Sequence, residues 1–320
     1  MRAFITGATG FVGSAVVRSL LRRGVEVRVL ARRTSDLRNV DGLDVDVFYG
    51  DVLDEACLVS GLRGCDVLYH VAAYYSTDKA KSQLMYEVNV DGTKNVMRAA
   101  VEAGVRRAVH TSTIGTIGQP SDGSLATEET PFNLWDTCSH YVKSKYLGET
   151  AALAMCERGL EVIVVNPCAP VGPRDIKPTS TGQRIVDYLH GKSPSFVEGG
   201  INFVSVQDVA EGHVLAAEKG RVGERHILGH RGGNFLLSDF LSLMESVSGI
   251  KRPRAASCLP RTWRRARWRG RLAAQRGSRP RTLTCDPSKA ISVLGLPQTP
   301  LQTAFTQAVI WFKENGYVRR

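Results

Sequence analysis

The run Thr6-Gly7-Ala8-Thr9-Gly10-Phe11-Val12-Gly13 constrains this chain more than any other segment. It lies between a short apolar run, Arg2 to Thr6, and a helical pattern from Phe11 to Arg23 that puts Val12, Ala15, Val16 and Leu20 on one face. A strand that turns into a helix through glycines three apart suits a pyrophosphate. Gly7 permits the tight turn, Gly10 lets backbone approach the phosphates, and Gly13 lets the helix sit close on the sheet with its N-terminus facing the anion. Thr9, Phe11 and Val12 belong to the same turn and are expected against the dinucleotide. An ordinary strand-helix turn also holds glycines, but placement directly between a strand and an amphipathic helix favours the dinucleotide.

Alternation continues for half the chain. Strands are expected at Glu26 to Ala31, Asp44 to Tyr49, Val67 to Val71, Arg107 to Thr111 and Glu161 to Asn166. Helices are expected between them at Glu55 to Leu62, Lys81 to Ala103 and His140 to Arg158. Apolar strands alternating with helices imply an α/β fold, a doubly wound parallel sheet with right-handed crossovers. After Asn166 the pattern breaks into Pro/Gly-rich sequence, and a last helix is expected from Leu301 to Asn315. Residues 1–166 then form the Rossmann domain and 167–320 a smaller C-terminal substrate region, from which the chain is free to cross back.

In such a sheet the second strand ends at the adenosine ribose, where an acid binds the 2′-hydroxyl of NAD and arginine accommodates the 2′-phosphate of NADP. Here the strand ends in Ala31-Arg32-Arg33, with no acid before Asp36, so NADP(H) is preferred and NAD(H) is the alternative. Asp51, followed by Val52, ends the third strand and is placed to meet the adenine.

The run Tyr141-Val142-Lys143-Ser144-Lys145 carries the chemistry. Residues four apart share a helix face, so the Lys145 ammonium lies near the Tyr141 phenol. A free phenol has a pKa of ~10, and a nearby cation is expected to lower it toward the range of acid–base work. The hydroxyl cluster Thr111-Ser112-Thr113, ending the preceding strand, offers a third group for a substrate oxygen.

With these motifs in place, the chain resembles the extended short-chain dehydrogenase/reductase family over residues 1–250 and 284–317. The resemblance rests on the glycine turn, G-D-V at Gly50, H-V-A-A at His70, N-V-D-G-T-K-N-V at Asn89, T-S-T at Thr111, Y-V-K-S-K at Tyr141, V-G-P-R-D at Val171 and F-V-S-V-Q-D-V-A at Phe203. Within the family it is most similar to dihydroflavonol-4-reductase-like proteins, and above all to the hopanoid-associated sugar epimerase group, through G-P-R-D-I-K-P-T-S-T-G from Gly172. The resemblance implies Thr113, Tyr141 and Lys145 as the catalytic set. It implies that Val71, Ala72, Ala73, Thr111, Tyr141, Lys145 and Pro167 touch the cofactor, Pro167 beside the nicotinamide. It also implies a homodimer through the helices at 81–103 and 140–158.

The net charge of +11 belongs to one segment. Residues 251–281 hold twelve Lys/Arg and no acid, whereas the rest of the chain holds 30 basic and 31 acidic side chains. That distribution argues against a nucleic-acid partner. Trp263 and Trp268 in the segment leave two readings, a basic amphipathic helix touching a membrane surface or an anionic substrate, and a poorly ordered surface excursion, which is preferred. Seven scattered cysteines without C-x-x-C spacing imply reduced thiols and a cytoplasmic location, with no metal site. No leader and no run of ~20 apolar residues is expected to direct it elsewhere. His70, His110 and His140 read as packed or solvent-facing histidines, Cys168 as a structural thiol, and Asn89 either as a loop clamp or as a turn cap.

Three functions remain: a reductase acting on a ketone or secondary alcohol, a sugar epimerase with tightly held NAD, and a non-catalytic dinucleotide sensor. The intact Tyr-Lys pair disfavours the sensor. Val197 to Phe203 offers no basic residue for a nucleotide's phosphates and includes Glu198, so a non-nucleotide small molecule is expected. Gly118 stands where dihydroflavonol reductases have asparagine. Ile114, Ile117, Tyr74, Tyr75 and Phe203 are expected to frame a largely apolar pocket suited to a terpenoid or steroid ketone, with Arg174, Lys177 and Arg184 as the opposing signal.

Overall fold

The computed structural model describes residues 1–253 and 282–318. Strands β1 (Arg2–Thr6), β2 (Glu26–Ala31), β3 (Asp46–Tyr49), β4 (Val67–His70), β5 (Arg107–Thr111) and β6 (Glu161–Pro167) form a parallel sheet. A seventh strand completes it, β9 (Arg225–Leu228), giving the order β3-β2-β1-β4-β5-β6-β9. The sheet is doubly wound and Rossmann-like, because strands such as Val67–His70 are buried on both faces. The second half of the chain therefore returns to the large sheet.

Helices α1 (Phe11–Arg22) and α7 (Val206–Lys219) cover one face together, with Val16, Val17 and Leu20 meeting Val209, Ala210 and Val214 in one core. Their polar seam is Glu211, which accepts from Ser19 at 2.7 Å and pairs with Arg22 and Arg23 at 3.0 and 2.6 Å. Helices α2 (Glu55–Leu62) and α4 (Gly92–Glu102) cover the other face through Leu58, Leu62, Val96, Met97 and Ala100, and α5 (His140–Leu153) joins them through Ala152.

A smaller lobe follows β6. Strands β7 (Ala169–Val171), β8 (Ile201–Ser205) and β10 (Asn234–Phe235) form a second sheet in the order β10-β8-β7. Against it pack α6 (Ser180–Leu189), α8 (Leu237–Ser248) and α9 (Leu301–Glu314), around the buried rings of Phe203, Phe240 and Phe305.

Two expected helices are interrupted. The segment 81–103 is a short helix α3 (Ser82–Tyr86), a wide π-helical turn (Glu87–Asp91) and then α4. The extra residue of the wide turn carries Asn89, whose buried amide is bonded outside the helix. The segment 140–158 leaves α5 at Leu153 and tightens into a 3-10 turn, Ala154–Arg158, ended by left-handed Gly159. Among the described residues no helix is long and apolar enough to cross a membrane. All but the first three residues of the basic segment 251–281, with both readings of it, lie outside the described residues.

Candidate active site

The glycine turn has the geometry its sequence demands. Gly7 is left-handed, with φ of 72°, and a Cβ there would lie 2.6 Å from the Ala72 nitrogen. A Cβ on Gly13 would come within 2.1 Å of the Gly7 carbonyl oxygen. The backbone closes on itself, Gly10 N–H donating to Gly7 at 3.0 Å, and α1 begins with Phe11 and Val12 above it. Asn39, 2% exposed, ties the Thr9 carbonyl to the Arg174 carbonyl at 3.1 and 3.2 Å, so the loop after β7 is held against this turn. The cradle is backbone, open at a helix N-terminus, and fits a pyrophosphate.

At the end of β2, Arg32 and Arg33 are both exposed. Arg33 lies over the Tyr49 ring at 5.3 Å, and among the described residues neither arginine pairs with an acid. Asp36 is occupied. Arg38 grips it with nitrogens at 3.0 and 2.6 Å and holds its carboxyl down to about 2. Asp51 accepts from its own loop, Leu53 N–H at 3.1 Å, and Val52 is buried beside α4.

Parallel register brings Thr6, His70, Thr111 and Pro167 to the carboxyl edge of the sheet. Val71, Ala72 and Ala73 leave β4 there, Ala72 N–H donating to the Thr6 hydroxyl at 3.2 Å. A cavity of about 700 Å³ lined by Val25, Val67, Tyr69, Arg106 and Arg107 opens at the opposite edge of the sheet, away from these groups.

Helix α5 is capped by the Ser139 hydroxyl and carries Tyr141, Lys145 and Glu149 at successive turns of one face. Lys145 is 2% exposed and donates to the Thr111 carbonyl at 2.6 Å. Burial holds its ammonium down to about 8, against a lift from Glu149. The Tyr141 ring meets Tyr75 edge to face at 5.0 Å. Burial pushes the Tyr141 phenol up to about 12, with Tyr75 adding to the shift. The expected lowering by a neighbouring cation is therefore not what this site displays. The Lys145 ammonium gives one of its N–H groups to a carbonyl, and desolvation dominates the phenol. Thr113 caps a 3-10 turn (Ile114–Thr116), its oxygen accepting from Gly115 N–H at 3.3 Å, so its own hydroxyl proton stays available for donation.

Beneath these groups lies a polar layer that the sequence reading did not foresee. Glu149, 3% exposed, accepts from Ser112 at 2.5 Å, Thr116 at 2.8 Å and Asn166 at 3.2 Å, while Arg225 from β9 stands 3.5 Å away. Glu149 was findable, lying four residues after Lys145 just as Lys145 follows Tyr141; Arg225 had no local signal.

His70 is neutral, and its tautomer follows from its partners. Thr93 spends its proton on the Asn89 carbonyl at 2.7 Å, so it accepts from His70 Nε2 at 3.0 Å. The bare Nδ1 then accepts from Thr6 at 2.7 Å. Burial, with Lys145 nearby, holds this imidazole down to about 3.

Asn89 is a loop clamp. It accepts from Tyr74 N–H at 2.7 Å and donates to the Tyr74 carbonyl and Ser144 at 3.0 and 2.9 Å. The expected pocket frame needs correction. Phe203 is fully buried in the small lobe, and Ile114 and Ile117 are 7% and 3% exposed in the main core. Of the five, only Tyr75, 53% exposed, stands open, with Tyr74 partly buried beside it. Cys168 is buried, its sulfur 3.3 Å from that of Cys285.

A model described as the NAD dependent epimerase/dehydratase family matches residues 3–229. The chain is 37% identical over 333 aligned positions to a putative dihydroflavonol 4-reductase of Synechocystis, covering 99% of this chain and 96% of the relative. It is 35% identical over 336 positions to sterol demethylase protein B of Methylococcus capsulatus, covering 99% and 100% of the two chains. The crystal structure of gox2253 superposes with a TM-score of 0.86 at 40% identity, over 99% of each chain.

Proposed function

The chain belongs to the NAD dependent epimerase/dehydratase family, and from that premise we propose that it transfers a hydride between NADP(H) and a ketone or secondary alcohol of a non-nucleotide substrate. The observation that carries this reading is the end of β2, where among the described residues neither Arg32 nor Arg33 pairs with an acid, while Asp36, the first acid after the strand, is gripped by Arg38. Two free guanidinium groups suit a 2′-phosphate, and a reductase draws on NADP(H) where an epimerase retains NAD. The nearly full-length likeness to a protein named as a reductase supports the same choice.

A bound nicotinamide supplies or accepts the hydride. The remaining work falls to the protein. Gly7, Thr9, Gly10, Phe11, Val12 and Gly13 hold the phosphates, Asp51 and Val52 flank the adenine, and Val71, Ala72, Ala73, Thr111 and Pro167 line the sheet edge. Thr113 donates a hydrogen bond to the substrate oxygen, and Tyr141 gives that oxygen its proton. A phenol pushed up to about 12 is protonated at neutral pH and can serve as the acid when a ketone is reduced. Lys145 fixes the Thr111 carbonyl and sets the positive charge of the site. We propose the small lobe as the substrate side, a homodimer through the α3–α4 and α5 faces, and a cytoplasmic location.

Mass spectrometry of the dinucleotide retained by purified protein, with fluorescence titration of NADPH and NADH, tests the reading. Exchangeable binding that prefers NADPH is expected. Tightly retained NAD would replace it with the epimerase.

A further inference from the structure

The cavity at the amino edge of the large sheet, about 700 Å³, lies between the first residues of β4 and β5 and the C-terminal half of α7. Val25, Val67, Val214 and Ala217 give it apolar walls. Its polar lining keeps donors that the fold leaves unused. Tyr69 is 1% exposed and faces the cavity, and among the described residues its hydroxyl has no hydrogen-bond partner. Burial, with Glu218 adding to it, raises the pKa of this phenol, so it stays a donor at neutral pH. Arg107 spends its terminal nitrogens on Glu161, at 2.7 Å, and on the Gly220 carbonyl, but its Nε–H is buried without an acceptor. Arg106 reaches the same Glu161 only at 4.0 Å. One carboxylate therefore serves two guanidinium groups, which leaves one positive charge uncompensated at this end of the cavity. Buried donors in folded proteins are nearly always paired, and these three groups share the lining of one cavity.

We propose that this cavity is a second ligand site, separate from the catalytic edge, and that it takes a monocarboxylic acid with a hydrocarbon body. The carboxylate accepts from the Tyr69 hydroxyl and lies against the Arg106–Arg107 end, while the body packs on the four apolar walls. The volume falls within the range of about 300–1,000 Å³ usual for small-molecule sites, and apolar walls with a few placed polar groups are their usual make-up. A phosphate dianion suits the cavity less well, because Asp66 and Glu218 also line it and would repel a second negative charge. Nothing in this site depends on which reaction the other edge of the sheet catalyses.

The test is calorimetry on the full chain saturated with NADP+, so that the dinucleotide turn is filled, with octanoate, octan-1-ol and inorganic phosphate as probes at neutral pH. Octanoate is expected to bind at one site, at least tenfold tighter than octan-1-ol. Tyr69→Phe should weaken octanoate at least fivefold without lowering the melting temperature, because the ring stays and only an unpaired hydroxyl is removed. Arg106→Gln, a change on an exposed side chain, should weaken octanoate by a similar factor. Ala217→Phe narrows the cavity and should abolish binding of acid and alcohol alike. No octanoate binding, equal binding of acid and alcohol, or an octanoate affinity that survives Tyr69→Phe or Ala217→Phe overturns the proposal. So does phosphate that displaces octanoate, since the unused donors would then serve a phosphate.

Discussion

Replacing Lys145 by Met asks what the buried ammonium costs the fold. Its pKa falls from 10.5 to about 8 on burial, so at neutral pH it destabilises the native state by roughly 3 kcal/mol relative to a solvated lysine. Between pH 8 and 10.5 the unfolded chain binds more protons at this position than the folded one. Wild-type stability therefore climbs with pH across that window relative to Lys145→Met, and the gap between the two proteins is flat below it. From pH 7 to pH 10 the gap should shift by roughly 2.5 kcal/mol in favour of wild type. The substitution also strips the Thr111 carbonyl of its donor. That loss does not depend on pH and cancels when the gap is compared across pH values. His70, at about 3, titrates outside the range. The assay is urea unfolding of both proteins, free of dinucleotide, at pH 7, 8, 9 and 10. A gap that stays constant within about 0.5 kcal/mol, or that moves the other way, would refute a lysine held near 8 by desolvation.

The other predictions concern the same site. Tyr141→Phe should lower kcat at least a thousandfold and leave NADPH affinity within twofold, because only the proton donor is lost; turnover within tenfold of wild type excludes the assignment. Replacing Arg32 and Arg33 with glutamine should weaken NADPH binding by roughly 2 kcal/mol and hardly change NADH, read by fluorescence titration. A wild type that prefers NADH would refute this account of the β2 end. Glu149→Ala should destabilise the protein by roughly 3 kcal/mol in chemical denaturation, since it removes the carboxylate that Arg225, Ser112 and Asn166 face; a loss below about 1 kcal/mol would mean that the Glu128 carbonyl, which Arg225 also reaches, suffices for the buried cation.

What the sequence revealed and what it hid divide along range. The glycine turn, the strands as far as Glu161–Pro167 and the spacing of Tyr141 and Lys145 are local patterns, read from neighbours within a turn or a pleat, whereas Thr113 within its hydroxyl cluster was singled out by the family resemblance. The break at Glu87–Asp91 is set by Asn89 reaching Tyr74, a bond no periodicity announces. Phe203 looked like a pocket wall because nothing near it in the chain shows that Phe240 and Phe305 close over it. Strand β9 was missed because it is four residues long and begins with Arg225 and the buried His226, which break an apolar run. Its Arg225 could be linked to Glu149 only once the sheet was assembled.

The seventh strand also bears on synthesis. β6 is complete at residue 167, but the strand that covers its outer edge begins at residue 225, after β7, α6, β8 and α7. At elongation rates of about 5–20 residues per second the ribosome needs roughly 3 to 12 s to make the intervening stretch. During that interval a nascent chain exposes Val162 to Val165 as an unpaired apolar strand edge, the kind of surface that pairs with other chains. Glu149 is likewise without Arg225 until the same moment. Chains stalled or truncated before residue 225 should therefore be trapped by holdase chaperones, whereas release past residue 228 lets the sheet close and the site acquire its floor.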